Sequence, residues 1–358
     1  MILAENIFAE FEETIKTKQV ICFGCGHYFK MFALDFGESA NIVGMIDNDR
    51  TKQGGTIRVG NNLAKVYSPS DVLKKYDFSQ TVLVITVYAY QEIVEVLNSD
   101  SSFGSVTCYI YSMLKYNNLK VADSLKKVSS TPLIPPVIHY IWFGGEPIPA
   151  NLQLCVNSWY EKCPEYRIIK WDESNYDINK NAYTKYCHDH KKWEYLSDYA
   201  RIDVLFENGG IYLDTDVEII RNIDDLRFNK GFIATIFLGG INSGSGFGAI
   251  AKHPVLLEML SDFESQFKEG IALEINMRRE TAFFCRHGFK LNYEMQIIRD
   301  VTVLPFNIMS PIIPDFLKQY INEATLGIHY YSKYIKPLPQ NNILDINSCI
   351  TGQIVEGN

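Results

Sequence analysis

The sequence lacks any long hydrophobic run. Its longest strongly apolar stretch, TVLVITVYAY (81–90), falls far short of the ~18 residues that a membrane-spanning helix needs. Positive charge is in deficit: 34 Lys and Arg stand against 42 Asp and Glu, giving a net charge of −8 and a pI near 5.5. That balance argues against a broad basic face, so no nucleic-acid partner is expected. Internal repeats and low-complexity blocks are also absent, which excludes solenoids and compositionally biased tails. The N-terminus, MILAENIFAEFEETIKTKQ, is acidic and amphipathic and has no basic segment leading into a cleavable signal. The expectation is a cytoplasmic protein, soluble or peripheral to the inner face of the cell membrane. The eight cysteines show no framework spacing, and in a reducing compartment they serve as small apolar residues. CFGC (22–25) has the C-x-x-C form, but Cys25 falls in a glycine turn, and that motif alone is a weak redox signal. CHDH (187–190) has the composition of a metal cluster. Adjacent helix residues point in different directions, so a solvated helix end is the better reading.

What is present is a chain of 358 residues at 47% hydrophobic composition, enough for two globular domains with separate cores. Over residues 1–116 strand and helix signals alternate as in a parallel α/β unit. QVICFGCG, NIVGMID, TVLVITV and SVTCYIY read as strands; a segment near 4–17, one from His27, SPSDVLKKY and AYQEIVEVLNS read as helices. GCGHYF (24–29) follows a strand and opens a helix. Asp47 ends the next strand, near where the ribose-binding acid of a dinucleotide site would stand. Phe29 replaces the third glycine of that fingerprint, so the alternative is a Rossmann-like module that binds nothing. Residues 117–134 are polar and close on prolines, as a linker does. A second α/β series fills 135–340 and leaves a polar tail at 341–358.

Within that series, GGIYLDTDVE (209–218) concentrates the chemistry. The double glycine stops a helix and turns the chain into a short apolar strand. Read as extended backbone, the segment puts Asp214 and Asp216 on one side, because strand side chains alternate. Two like charges there call for a positive partner. Carboxylate oxygens are hard donors suited to Mg2+ or Mn2+ rather than Zn2+, and such ions keep open positions for substrate phosphates. A pair of surface acids near a turn is the alternative. Upstream, Asp198 and Arg201 are three apart on a helix and share a face, either as a surface ion pair or turned toward a ligand.

SDYARIDVLFENGGIYLDTDVE (197–218) resembles the core signature of glycosyltransferase family 32. These are sugar transferases with a DXD motif; bacterial members often build capsular polysaccharide, and fungal members are mannosyltransferases. The resemblance runs from IPPVIHYIWFGGEPIPANLQLCVNSWYEKCPEYRIIKWDESN to GIHYYSKY, about residues 134–334. The large glucosylating toxins share its Asp/Arg helix and DXD arrangement. It implies an α/β architecture: a GT-A type nucleotide-diphospho-sugar transferase domain, preceded by a small Rossmann-like parallel α/β domain similar to modules fused to sugar-modifying enzymes. It further implies that Asp216 and Asp214 hold Mn2+ or Mg2+, with Asp214 also touching the donor. Asp198 and Arg201 would anchor the donor sugar and its phosphate, and Trp142 would stack on the nucleobase. HYYSKY supplies His329 and Ser332 but lacks the family's tryptophan. His329 is the candidate third metal ligand, with a partly buried structural histidine as the other reading.

The implied reaction is retaining transfer of a hexose from a nucleotide-diphosphate sugar, UDP-linked in the favoured case. The acceptor would be a saccharide or lipid-linked oligosaccharide in capsule or surface polysaccharide synthesis. GGINSGSGFG (239–248) reads as a flexible loop lining the donor or acceptor cleft, or as a surface loop, and MRRE (277–280) as a contact for an anionic lipid-linked acceptor or a solvated pair of arginines. Two other functions stand beside transfer. One is a non-catalytic sugar-nucleotide-binding protein. The other is a haloacid-dehalogenase-type phosphotransferase, whose nucleophile motif shares the D-x-D of YLDTDV, with Asp214 as the attacking acid.

Overall fold

The computed structural model describes residues 1–59, 62–268, 273, 276–313 and 318–331; Ser332 and the tail at 341–358 lie outside them. The chain divides into two compact units, Met1–Lys120 with Lys290–Asn292, and Val121–Phe289 with the residues from Tyr293 on. Among the described residues no helix is long and apolar enough to cross a membrane.

Unit one runs β1 (Ile2–Leu3), α1 (Phe8–Thr17), β2 (Gln19–Phe23), α2 (His27–Phe36), β3 (Asn41–Ile46), β4 (Thr56–Val59), β5 (Asn62–Tyr67), α3 (Pro69–Lys75), β6 (Thr81–Ile85), α4 (Tyr90–Ser99), β7 (Thr107–Ile110) and α5 (Tyr111–Asn117). Its sheet has the order β1-β7-β6-β2-β3-β5-β4, and every pair is parallel except β4 with β5. Continuous apolar runs such as VLVI in β6 are buried without alternation, the pattern of a parallel sheet covered on both faces. Asp47, at the end of β3, has its carboxylate engaged inside this unit. It accepts from the amides of Cys25 at 3.1 Å and Asp49 at 2.9 Å, and pairs with Lys52 Nζ at 3.1 Å. Its contacts brace the glycine turn at the start of α2.

Unit two runs β8 (Val137–Ile141), α6 (Ala150–Lys162), β9 (Arg167–Trp171), α7 (Ala182–Asp189), α8 (Trp193–Asn208), β10 (Gly210–Tyr212), β11 (Val217–Ile219), β12 (Gly231–Ala234), β13 (Phe247–Ala249), α9 (Pro254–Gln266), α10 (Asn276–Arg286), β14 (Gln296–Ile298), β15 (Val301–Leu304), α11 (Phe306–Met309), β16 (Ile312–Ile313), β17 (Lys318–Gln319) and β18 (Gly327–His329). Its main sheet, β14-β15-β12-β13-β10-β8-β9, is mixed: β9, β8 and β10 are parallel, and β13 runs against both β10 and β12. A separate ribbon pairs β11 with β18. The core gathers Ile138, Trp159, Ile211, Leu213, Val217 and Phe232, all fully buried. The polar stretch before β8 is stitched to this unit, with Ser129 N donating to Phe228 O and Leu133 N to Arg227 O, both at 2.8 Å.

Helix α8 stops because Gly209 (φ +65°) and Gly210 (φ +109°) take backbone conformations that side chains resist. A Cβ on Gly210 would also stand 2.7 Å from His139 Nε2 and 2.8 Å from Val137 O. Gly210→Ala is therefore expected to cost about 3 kcal/mol, from left-handed strain plus the clash. Scanning calorimetry should show the melting temperature lowered by roughly 5–10 °C.

His139 is fully buried, and its ring fixes the α8–β10 corner. Trp171 Nε1 donates to Nδ1 at 3.0 Å, so Nε2 carries the hydrogen that reaches Gly209 O at 2.9 Å. Burial pushes its pKa down to about 4, from an ordinary value of 6.5. Between those values the unfolded chain binds more protons than the folded one, so stability falls as pH drops through that window. The loss amounts to roughly 3 kcal/mol on completion. Urea unfolding at pH 6.5 and 4.5 should show a larger loss for the wild type than for His139→Gln.

Candidate active site

β10 ends at Tyr212, and the chain then turns, with Val217 N donating to Asp214 O at 3.0 Å. Asp214 and Asp216 thus stand on a turn between β10 and β11, which corrects the expectation of one extended run. Their side chains are brought together by tertiary contacts, not by strand alternation. Each acid meets its own nitrogen partner. Arg201 Nη2 lies 3.4 Å from Asp214 Oδ1, and His329 Nε2 lies 3.2 Å from Asp216 Oδ1. The second contact is set by register, since Val217 pairs with His329 across β11 and β18.

Arg201 sits on α8 and is 5% exposed, as is Asp198. Its Nη2 also holds Asp198 Oδ1 at 2.8 Å, its Nη1 donates to Ser243 Oγ at 3.2 Å, and the guanidinium lies 4.8 Å from the centre of the Tyr212 ring. Tyr212 OH in turn donates to Asp214 Oδ1 at 2.8 Å. Burial pushes the Asp198 carboxyl up to about 7; Arg201 opposes that shift, and Glu280 and Asp214 add to it. The helix pair is therefore a desolvated one, whose charges are expensive unless they have polar partners.

Asp214, Asp216 and His329 each offer one ligand atom, and these atoms lie within 4.8 Å of one another. Two carboxylate oxygens and an imidazole form a donor set that accommodates Mn2+ or Mg2+. Burial lowers the pKa of His329, but the charges of Asp216 and Asp214 outweigh it and hold the ring above its ordinary value. Its Nδ1 lies 2.7 Å from Ser245 Oγ, the kind of outer contact that orients a ligating histidine. Among the described residues CHDH belongs to no such group: Cys187 is buried, and His190 stacks on Tyr186 at 4.1 Å.

All six residues singled out in the sequence, Trp142, Asp198, Arg201, Asp214, Asp216 and His329, line one cavity of about 700 Å³, within the range of small-molecule sites. Trp142 is half-buried, and its indole N–H donates to Glu146 O at 2.6 Å. Trp193 lines the cavity too. The segment 239–248 is no surface loop, because Ser243 and Ser245 are fully buried. Gly244 O accepts from Asp214 N at 2.9 Å, Glu280 Oε2 accepts from Ser243 N at 2.9 Å, and Asn276 Nδ2 donates to Ser243 Oγ at 2.9 Å. MRRE is not simply solvated either: Arg279 is buried over the Phe263 ring at 4.1 Å, and Glu280 is 1% exposed. Tyr212, Trp193, Ser243, Ser245, Asn276 and Glu280 were not singled out in the sequence. The only local hint was a serine- and glycine-rich segment downstream of the acid pair.

A family model described as "Glycosyltransferase sugar-binding region containing DXD motif" matches residues 149–233, the span from α6 through β12. Inositol phosphoceramide mannosyltransferase 3 of Schizosaccharomyces pombe is 28% identical over 165 residues, 44% of this chain and 46% of that protein. Lactosylceramide 4-alpha-galactosyltransferase of Rattus norvegicus is 29% identical over 154 residues, 38% of this chain and 41% of that protein. The chain thus spans less than half the length of these curated relatives. Among solved structures, the PaToxG glycosyltransferase superposes with a TM-score of 0.37 at 17% identity, covering 55% of this chain and 77% of that one, a likeness too loose to carry an argument. Residues 149–233 thus match the model of a glycosyltransferase sugar-binding region, and the D-x-D triplet Asp214-Thr215-Asp216 lies within that span.

Proposed function

We propose that the chain is a metal-dependent, retaining glycosyltransferase that moves a hexose from a nucleotide-diphosphate sugar, UDP-linked in the favoured case, to a saccharide or lipid-borne acceptor. The observation that carries this reading is the convergence of Asp214, Asp216 and His329 in the cavity that also holds the buried Asp198–Arg201 pair. Asp214, Asp216 and His329 would hold Mn2+ or Mg2+, which would supply Lewis-acid stabilisation for the charge on the leaving diphosphate. Arg201 contributes a permanently charged, planar donor set matched to phosphate oxygens and sugar hydroxyls. Asp198 anchors the sugar by accepting from its hydroxyls, and the Asp214 carboxylate favours the oxocarbenium character of the anomeric carbon. Trp142 offers a face for the nucleobase.

The names of the two relatives, a mannosyl- and a galactosyltransferase for ceramide lipids, support a hexose as the transferred group and a lipid among the acceptors. The resemblance to capsule-building transferases supports a place in capsule or surface polysaccharide synthesis, in the cytoplasm at the inner face of the cell membrane. We read 135–340 as the GT-A type domain and 1–116 as a Rossmann-like accessory module; the parallel order of its sheet supports the latter. Incubation with Mn2+ and a panel of UDP- and GDP-sugars, with detection of released nucleoside diphosphate, tests the activity. Release from one donor names the sugar. Donor binding without release, unchanged in Asp216→Ala, leaves a sugar-nucleotide-binding protein instead.

A further inference from the structure

Three successive residues touch three separate parts of the site. Ser243 Oγ accepts from Arg201 Nη1 at 3.2 Å, Gly244 O accepts from Asp214 N at 2.9 Å, and Ser245 Oγ lies 2.7 Å from His329 Nδ1. The turn is therefore a common bracket for a cation on α8, an acid after β10 and a histidine on β18. It is tied in its turn to α10, where Glu280 Oε2 accepts from Ser243 N at 2.9 Å. Glu280 is 1% exposed, and its Oε1 has no hydrogen-bond partner among the described residues. A half-satisfied carboxyl in the interior is a costly way to hold a backbone amide. Arrangements of that kind persist where the surrounding geometry serves a function.

We propose that Glu280 is a positioning residue: through Ser243 N it sets the turn 243–245, and the turn sets Arg201, Asp214 and His329 for the donor diphosphate and its cation. What is positioned rests on the glycosyltransferase reading; that the turn is positioned does not. Three groups delivered by remote segments must agree to within about 0.5 Å for such a site to work, and one shared bracket links their positions. Burial raises the pKa of Glu280, while Arg201 and the bonds to Ser243 oppose that shift. The group that matters is the acceptor oxygen 2.9 Å from Ser243 N, which a neutral side chain can also supply.

Glu280→Met keeps the length and apolar volume but removes the acceptor, whereas Glu280→Gln keeps an acceptor in place. Three readouts on the full chain test the proposal. Amide hydrogen exchange of the unliganded protein should rise about tenfold at Ser243 and Asp214 in the Met variant and stay at the wild-type rate in the Gln variant. Mn2+ binding by calorimetry should weaken about tenfold in Met and recover in Gln. The kcat for donor cleavage should fall about tenfold in Met, with KM changed less than about threefold. Wild-type exchange in the Met variant overturns the proposal. So does a folded Gln variant as defective as Met, and if Met does not fold, the Gln variant alone decides. A wild-type protein that binds no Mn2+ and cleaves no donor would defeat the transferase reading, leaving hydrogen exchange to judge the bracket.

Discussion

Asp216→Ala is expected to abolish metal-dependent donor cleavage, lowering kcat about a thousandfold or more while the protein stays folded. Asp216 is 8% exposed and faces His329 at 3.2 Å, so its removal takes one of two carboxylates from the candidate cation site and removes the imidazole's partner at Nε2. On the proposed reading, loss of one of three ligands would weaken the hold on a divalent ion and so reduce stabilisation of the leaving diphosphate. The fold should tolerate the change, because the His329 ring keeps its Ser245 partner at Nδ1. The expected stability loss is about 1–2 kcal/mol. The check is steady-state donor cleavage across a wide Mn2+ titration, with thermal unfolding beside it. Activity within tenfold of the wild type at saturating Mn2+ would show that Asp216 is no ligand.

Gly244→Ala carries the second large effect, and it comes from one methyl group. A Cβ on Gly244 would run into Asp214 Oδ2, and would stand 2.9 Å from Asp214 Cγ and 3.0 Å from Arg201 Nη1. The carboxylate must then swing away from Tyr212 OH, which now donates to it at 2.8 Å. Displacements of about 1 Å in a positioned group cost on the order of a hundredfold in rate. The expected outcome is a kcat lowered about a hundredfold, with a melting temperature shifted by no more than about 3 °C. A crystal structure of the variant should show the rotated Asp214 side chain. A kcat within threefold of the wild type would mean that the position of Asp214 is not critical to the reaction.

The acid pair and the helix pair were legible because both sit in one short segment with a strong local signature. α8 ends in two glycines, and the DTD triplet follows within a few residues. The parallel strands of unit one were legible as unbroken apolar runs. The hairpin β4–β5 was not, since its two strands are short and mixed in polarity and follow a polar turn, although Val59, Ala64 and Val66 are buried. α5 was also missed, because its first residues continue the apolar pattern of β7. The shape of the DTD segment misled for a related reason. Alternation along IYLDTD suggests a strand, yet Asp214 O takes the Val217 amide and the chain reverses into β11.

Ser243, Ser245 and Glu280 left no periodic trace, because their partners lie far along the chain. Arg201 and Ser243 are separated by 42 residues, Ser245 and His329 by 84, and Ser243 and Glu280 by 37. The sequence by itself determined the strand and helix order around the site, the glycine stop after α8 and the placement of Asp198, Arg201, Asp214 and Asp216 within twenty residues. Periodicity, caps and spacing act between near neighbours and can be read from them. Only the tertiary structure decided that Asp214 faces Arg201, that Asp216 faces His329 and that a buried turn brackets all three segments. Those meetings depend on the β11–β18 register and on the packing of α8 and α10 around one cavity, where each buried charge is tolerated only beside its partner.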